Sequence, residues 1–382
     1  MKILTVSTDR KIFEESSEVR RRMLEYGTLV DELHIVIFSR RNALSGNRLS
    51  KLKISENTFA YPTNSRSRWF YVFDAAKIGV KIIKNIGGDF LVSAQDPFET
   101  GLAGHLIAKR AKTRLQLQIH TDFLSPYFKK TFLLNRLRVA IAKFLIPRAS
   151  CVRVVSRRIK DSLSVIGPQL SVIAVLPIFV DIEKIRNAPV KTDLRRQYPR
   201  FDFIILMASR LTKEKNIGMA IKAIKGIVKR HPNTGLIIVG EGPEKNNLKS
   251  QILNLKIGEN VIIENWADDM ISYYKTSDLF LLASDYEGYG RTVIEAMAAS
   301  CPVVMTDVGI AGEMIKDGYS GLVVPVGDAR ALEEAILKVR EDEFLRGNLV
   351  VSAEYTLKDL PDKGEYLERY KKTWENCGLR SR

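Results

Sequence analysis

The chain has 382 residues, 45% apolar and 27% charged, the composition of an ordinary globular protein and too long for one ordinary core. No run of eighteen apolar residues occurs, which excludes a membrane-spanning helix at the level of sequence. Three cysteines, Cys151, Cys301 and Cys377, stand far apart with neither metal nor disulfide spacing, and they fit a reducing compartment. The formal charge of +16 is carried entirely by residues 1–180, with 30 Lys and Arg against 14 Asp and Glu, while residues 181–382 hold 30 of each. That asymmetry points to an anionic partner for the first half and to a boundary near residue 180.

In chain order, Met1-Lys2-Ile3-Leu4-Thr5-Val6-Ser7 turns charged at Asp9-Arg10-Lys11 and reads as a buried strand, not a signal peptide. Further short apolar runs follow at Leu33–Phe38, Phe90–Val92, Leu115–Ile119 and Val152–Val155. Amphipathic stretches separate them at Glu14–Val30, Trp69–Ile86 and Thr100–Ala111. Alternation of this kind predicts a parallel sheet covered by helices. The stretch from Leu176-Pro177 to about Arg200, rich in Pro and charge, reads as a linker. A second series of runs then begins at Phe203–Met207 and continues through Leu236–Val239, Val261–Ile263, Leu279–Leu282, Val303–Met305 and Gly321–Val324. Pro361 opens a last helix. Its Tyr366, Tyr370 and Trp374 recur every four residues, an aromatic stripe that packs on a core, with the domain it packs on left open.

The chemistry concentrates in three loops that follow strands of the second series. After Leu279–Leu282 comes Ser284-Asp285-Tyr286-Glu287-Gly288-Tyr289-Gly290-Arg291-Thr292-Val293-Ile294-Glu295-Ala296-Met297-Ala298. Gly288 and Gly290 permit a tight loop, and a helix predicted from Arg291 or Thr292 offers free N–H groups and a positive dipole end suited to a diphosphate. Glu295, one turn into that helix, suits a ribose diol; Glu287, in the loop, reaches the sugar side. Ser209-Arg210-Leu211-Thr212-Lys213-Glu214-Lys215-Asn216 follows the first strand of the series, so Arg210 and Lys215 stand where ligands bind in open parallel sheets and could neutralise a leaving diphosphate. Gly240-Glu241-Gly242-Pro243 follows the next strand.

At these residues the chain resembles glycosyltransferase family 4. The family pattern is Arg-Leu-x-x-x-Lys-Asn after a strand, Gly-x-Gly-Pro after the next, and Glu-x-Gly-x-Gly ending in Glu-Ala-Met-Ala. The resemblance extends to Cys301-Pro302-Val303-Val304, Gly309 to Glu313, and Gly318 to Gly327 with Asp328, and so covers almost all of the second half. It implies the α/β fold called GT-B, two Rossmann-like domains with parallel sheets facing across a cleft. The expected division is an acceptor-side domain over 1–180, a nucleotide-sugar donor domain over 181–358, and a C-terminal helix over 359–382, with a return onto the first domain as one placement. It further implies a retaining, metal-independent transfer of sugar from a nucleotide-diphosphate donor, such as a UDP- or GDP-sugar, with no cofactor. Catalytic roles would fall to Arg210, Lys215, Glu287 and His120, and donor binding to Gly240, Gly242, Pro243, Gly288, Tyr289, Gly290, Arg291, Thr292 and Glu295.

The first half departs from the family, because Thr8 to Ser16 lacks the Gly-Gly pair that often follows the first strand; Arg10 or the helix start near Ser16 are the substitutes in reach. His120 closes the strand Leu115–Ile119 and fits the family's cleft histidine, while His34, His105 and His231 read as satisfied core residues. Asp268-Asp269 reads as a helix cap, not a metal pair. Residues 123–160 hold ten Lys and Arg and no Asp or Glu, and Lys129, Arg136 and Lys143, spaced by seven, form one stripe if the segment is one helix. Such a helix either lies on an anionic membrane, where a lipid-linked or saccharide acceptor would be met, or shows a solvated basic face. The first alternative places the protein in the cytoplasm, peripheral at the inner face of the membrane. Two rival readings were weighed. A nucleotide-sugar epimerase on the same fold needs catalytic carboxylates in the first half. A nucleic-acid-binding protein would leave Glu287, Glu295, Arg210 and Lys215 without a role, so no nucleic acid partner is expected.

Overall fold

The computed structural model describes residues 1–41, 51–166 and 172–378. They form two compact units: one of Met1–Leu124, Phe132–Pro177 and Lys363–Arg382, the other of Ser125–Thr131 and Ile178–Asp362.

Unit 1 is built from β1 (Lys2–Ser7), α1 (Glu18–Gly27), β2 (Glu32–Ile37), β3 (Leu52–Lys53), β4 (Thr58–Pro62), α2 (Tyr71–Ile86), β5 (Phe90–Ala94), α3 (Glu99–Ala111) and β6 (Arg114–Ile119). Helix α4 (Pro126–Thr131) leaves for unit 2, and the chain returns with α5 (Leu133–Leu145), β7 (Cys151–Val154), α6 (Arg157–Leu163) and β8 (Ile173–Val175). The sheet runs β3-β4-β2-β1-β5-β6-β7-β8, parallel throughout except for the β3–β4 pair. Ile3, Leu4 and Val6 of β1 are fully buried, as expected of a strand covered on both faces. Helix α1 is shorter than the amphipathic pattern from Glu14 to Val30, because Ser17 accepts from Arg20 N at 3.1 Å and sets the start, while Arg10–Phe13 make a separate 3-10 turn. Strands β3, β4 and β8 have no counterpart among the predicted runs: β3 has two residues, β4 ends in proline and β8 has three.

Unit 2 opens with α7 (Ile182–Asn187) and α8 (Leu194–Gln197), where a linker was expected. These short helices are part of the unit: Lys191 N donates to Ser272 Oγ at 2.8 Å, Leu194 N to Thr276 Oγ1 at 3.2 Å, and Ile185 and Leu194 are buried. There follow β9 (Phe203–Ala208), α9 (Ile217–Val228), β10 (Thr234–Val239), α10 (Lys245–Leu255), β11 (Val261–Glu264), α11 (Met270–Thr276), β12 (Leu279–Leu282), α12 (Arg291–Ala298), β13 (Val303–Thr306), β14 (Leu322–Val324), α13 (Ala329–Glu341) and α14 (Glu343–Leu357). Its sheet is wholly parallel in the order β11-β10-β9-β12-β13-β14. Strand order therefore reverses between β9 and β12, the switch point at which doubly wound sheets leave a crevice at their carboxyl edge. No helix among the described residues is long and apolar enough to cross a membrane.

The last helix, α15 (Lys363–Glu375), belongs to unit 1. Tyr370 stacks on Tyr26 with ring centroids 4.2 Å apart, Trp374 meets Tyr370 edge-on at 4.8 Å, and Gln116 Nε2 of β6 donates to Thr373 O at 2.8 Å. Beyond the helix Cys377 is disulfide-bonded to Cys151, with Cα atoms 5.2 Å apart. This corrects the expectation of three unpaired cysteines. The partners lie 226 residues apart in sequence, so their spacing carried no signal, and the cysteine count no longer argues for a reducing compartment. Cys301 alone is free and buried among the described residues. Trp374 is among the largest fully buried side chains. Trp374→Ala should cost about 3–5 kcal/mol, as truncation of buried aromatics does. In urea titration monitored on unit 1 this appears as a lower unfolding midpoint; a midpoint unchanged from wild type would show that α15 contributes no core.

Candidate active site

The three loops of unit 2 meet at the carboxyl edge of β10, β9 and β12. Backbone hydrogen bonds hold them together: Leu211 N donates to Glu241 O at 2.8 Å, Glu244 N to Leu211 O at 3.0 Å, and Asp285 N to Glu214 O at 2.8 Å. The closeness is why glycine is required. A Cβ on Gly240 would stand 1.9 Å from Ser209 O, and one on Gly242 would stand 2.3 Å from Leu211 O, both backbone atoms that cannot turn aside. Pro243 then leads to α10. Of the two glycines in the third loop, Gly290 takes the left-handed backbone with φ +103°, and Gly288 is buried. Gly290 stands at the N-cap of α12 and offers no side chain, so the first turn of that helix, at Arg291 and Thr292, has no side-chain cap. An uncapped helix start with its positive dipole end is a ready anion site. Tyr289 is buried beneath the loop, and its carbonyl accepts from Ile310 N at 3.0 Å.

The charged side chains are arranged in pairs. Lys215 and Glu287 form a hydrogen-bonded ion pair, both mostly buried, and Ser284 Oγ donates to the same carboxylate oxygen at 2.8 Å. Asn216 Nδ2 donates to Asp285 Oδ1 at 2.8 Å and so ties the β9 loop to the β12 loop a second time. Burial raises the Asp285 carboxyl above its usual range, opposed by that hydrogen bond. Glu295 is aimed by two donors, Arg291 Nε at 2.8 Å and Tyr274 Oη at 3.0 Å. Burial, with the Glu295 charge beside it, pushes the Tyr274 phenol far up, so it remains a donor. Arg210 is placed differently. Its guanidinium is 76% exposed and reaches Glu214 at 3.4 Å.

In unit 1, His120 sits at the carboxyl end of β6, half-buried, with Nε2 at 3.2 Å from Gln118 Oε1. Burial, then the charges of Arg153 and Arg22, hold its imidazole down to about 3, so the ring is neutral. Arg10 does not substitute for the absent Gly-Gly loop by its side chain: its guanidinium donates to Phe38 O at 3.0 Å and to Tyr71 Oη at 3.1 Å. The helix start expected near Ser16 is there, with Ser17 as the cap of α1. His34 is a satisfied core histidine, between Tyr61 Oη at 3.0 Å and Glu32 Oε2 at 2.9 Å. His105 is partly exposed and lies edge-on to Phe144. His231 is corrected: it is a surface residue, 27% exposed, paired with Glu341 at 2.9 Å. Asp269 holds the N-cap position of α11, yet its carboxylate makes no cap hydrogen bond, so only its charge serves the helix dipole.

The basic stripe is also corrected. Lys129 lies on α4, which packs with unit 2 through Phe128, edge-on to Tyr286 at 5.4 Å, whereas Arg136 and Lys143 lie on α5 in unit 1. Phe132 breaks the helix between them in extended backbone. Sequence reasoning missed the tyrosine that holds Glu295 and the polar strand face carrying Gln116, Gln118 and Arg153. The Gln-x-Gln-x-His alternation before Thr121 was the available signal for the second; nothing local marks Tyr274.

A doubly wound parallel domain with this edge defines a class. Residues 190–354 match the family described as glycosyl transferases group 1, so the likeness read from the motifs is shown over that segment. The capsular polysaccharide biosynthesis glycosyltransferase CapM of Staphylococcus aureus is 34% identical over 146 residues, covering 38% of this chain and 38% of that protein. The UDP-Gal:alpha-D-GlcNAc-diphosphoundecaprenol alpha-1,3-galactosyltransferase of Escherichia coli is 29% identical over 181 residues, covering 45% of this chain and 46% of its own length. The matched stretch thus spans less than half of either relative. Among solved structures, Anabaena HepE in complex with UDP superposes with a TM-score of 0.76 at 20% identity, covering 98% of this chain and 100% of that one. That likeness carries the fold, which is GT-B.

A neutral His120 has a consequence for stability. Its value is about 3 folded against 6.5 unfolded, so the unfolded chain binds the proton between those pH values. The stability it contributes is whole above pH 6.5 and is lost as pH falls toward 3. His34 and His105, also lowered by burial, act in the same direction, so the test is a difference. His120→Asn should lose less stability than wild type between pH 6.5 and 4 in urea titrations; identical slopes would contradict a neutral ring.

Proposed function

We propose that this protein is a retaining glycosyltransferase of family 4 type that moves a sugar from a nucleoside-diphosphate donor to an acceptor hydroxyl, in synthesis of a glycolipid or cell-surface polysaccharide. The observation that carries this reading is the joining of three strand-end loops at the β9/β12 switch point, with an uncapped helix start, a lysine–glutamate pair and an aimed glutamate in one place. In this reading the diphosphate lies on the start of α12 against Gly240, Gly242 and Gly290, and Glu295 accepts from the ribose hydroxyls, held ready by Arg291 and Tyr274. Lys215 and Arg210 take up the charge that grows on the leaving diphosphate, in place of a metal ion. The sugar acquires oxocarbenium character and the acceptor hydroxyl attacks from the face the diphosphate leaves, giving up its proton to a phosphate oxygen. The protein positions and stabilises charge, with no covalent nucleophile. Glu287, shared by Lys215 and Ser284, orients the sugar, and His120 keeps the catalytic role that the resemblance gives it. The names of CapM and of the diphosphoundecaprenol galactosyltransferase support a polysaccharide or lipid-linked acceptor, and the UDP complex of HepE supports a nucleotide donor.

Lys215→Ala should lower turnover about a hundredfold or more with the fold intact, the usual scale for loss of one preorganised charge at a developing anion. Glu295→Ala should weaken nucleotide binding by about 1–3 kcal/mol, because it leaves the ribose hydroxyls without their acceptor. Progress curves and calorimetric titration of each variant check these values, and wild-type turnover in EDTA checks the absence of a metal; full activity of Lys215→Ala would remove the cation from the mechanism.

In the same reading the protein works at the cytoplasmic face of an anionic membrane. The support is α5, where Phe132, Leu133, Leu134, Leu137 and Phe144 are exposed beside Arg136 and Lys143. Each basic residue near such a surface contributes about 1 kcal/mol, screened over about a Debye length. In flotation with vesicles of anionic lipid the protein should be recovered at low salt and released at high salt. R136E/K143E should lose recovery while K129E, on the other unit, should not; equal recovery of wild type with neutral and anionic vesicles would refute the docking.

A further inference from the structure

The face of the unit 1 sheet beneath α15 is polar, which is unusual for a strand face closed off from water. Ser93 of β5, Gln116 and Gln118 of β6 and Arg153 of β7 are all buried there, with Ser93 opposite Gln116 and Gln118 opposite Arg153 in the ladder. Their hydrogen bonds run in one consistent direction. Gln116 Nε2 donates to Thr373 O, Ser93 Oγ donates to Gln116 Oε1 at 3.0 Å, and Gln118 Nε2 donates to Ser93 Oγ at 2.9 Å and to Tyr370 Oη at 3.2 Å. Arg153 Nη1 donates to Gln118 Oε1 at 2.8 Å, and its guanidinium lies 4.5 Å from the centre of the Tyr370 ring. Arginine has no acceptor. The Gln118 amide is therefore turned with its oxygen toward Arg153, and that same oxygen is the atom His120 Nε2 faces at 3.2 Å. An oxygen already accepting from arginine can only accept again, so the proton of the ring must be on Nε2.

We propose that Gln118 is a positioning residue for His120: its amide oxygen, oriented by Arg153 and Tyr370, fixes the imidazole in the Nε2–H form and leaves Nδ1 as the acceptor for a substrate hydroxyl. Nδ1 has no partner among the described residues. The groups facing this cluster from α1, α15 and β7 are Tyr26, Tyr366, Tyr370, Arg22 and Arg153, with no carboxylate among the charges that act on the His120 ring. Burial and the two guanidiniums keep it uncharged, consistent with an acceptor nitrogen. α15 thereby enters the function of a strand-end histidine through Tyr370, a contact that the position of the helix at the end of the chain does not suggest.

The proposal rests on the reading of His120 as a catalytic residue, and the test separates the two. Long-range 1H–15N NMR on the full chain labelled at its four histidines, with His120 assigned by loss of its signals in His120→Asn, reads the tautomer directly in wild type. Nε2–H is expected, and Nδ1–H overturns the proposal whatever the activity. Gln118→Met removes the acceptor at similar volume, and Gln118→Glu keeps it. Turnover, read as UDP release from UDP-glucose or GDP release from GDP-mannose, should fall about tenfold or more in Gln118→Met with KM for the nucleotide sugar unchanged. Gln118→Glu should retain the Nε2–H form and most of the turnover that Gln118→Met loses, a rescue by the retained acceptor that a merely structural glutamine would not give. Wild-type turnover in Gln118→Met overturns the positioning role. Wild-type turnover in His120→Asn overturns the catalytic reading beneath it, with the measured tautomer unaffected.

Discussion

Strands β9 and β12 lie side by side although β10 and β11 intervene in the chain, and unit 2 depends on that adjacency. A parallel strand ends with its carbonyls and the following loop at one edge, and a reversal of strand order leaves room there. The Lys215–Glu287 pair spans this point, one partner from the loop after each of the two strands. A charged pair mostly removed from water is tolerated only when its geometry is good and further donors are present. Ser284 supplies one, and the Asn216–Asp285 bond fixes the same two loops again. The loops cannot separate without exposing these groups unpaired, so the crevice is preformed.

Unit 1 solves a different problem. Its sheet carries amides and an arginine on a covered face, and each must find a partner without water. α15 provides the cover and part of the pairing, through Thr373 O and the Tyr370 hydroxyl and ring, and the Cys151–Cys377 bond ties the end of that helix to β7. Arg153 has no carboxylate partner in this network; the Gln118 amide oxygen and a π face meet it instead, while its buried Nε makes no hydrogen bond. A buried cation so placed adds to the effect of burial in keeping His120 uncharged.

Much of this could be read from the residues. The parallel α/β series in both halves, the β12 loop with its helix start, and the strand-end location of Arg210, Lys215 and Gly240 follow from apolar runs punctuated by glycine and charge, because those features are local. The failures share a cause. Cys151 with Cys377, Tyr274 with Glu295, and Gln118 with Arg153 are pairs made by tertiary packing across long separations, where no spacing rule operates. The Lys129–Arg136–Lys143 stripe failed because Phe132, in extended backbone, separates α4, whose Phe128 meets Tyr286, from α5. The expected linker was misread because α7 and α8 are too short and too charged to show a helical period, and are held by serine and threonine hydroxyls of α11.

The central claim is that the edge of β10, β9 and β12 binds a nucleoside diphosphate through backbone and cationic side chains. Calorimetric titration of the full chain in EDTA with UDP, GDP and ADP tests it most directly. Saturable binding of one nucleoside diphosphate per chain is expected, abolished by Gly240→Val and retained without divalent metal. No binding of any of the three, or binding that survives Gly240→Val unchanged, would contradict it.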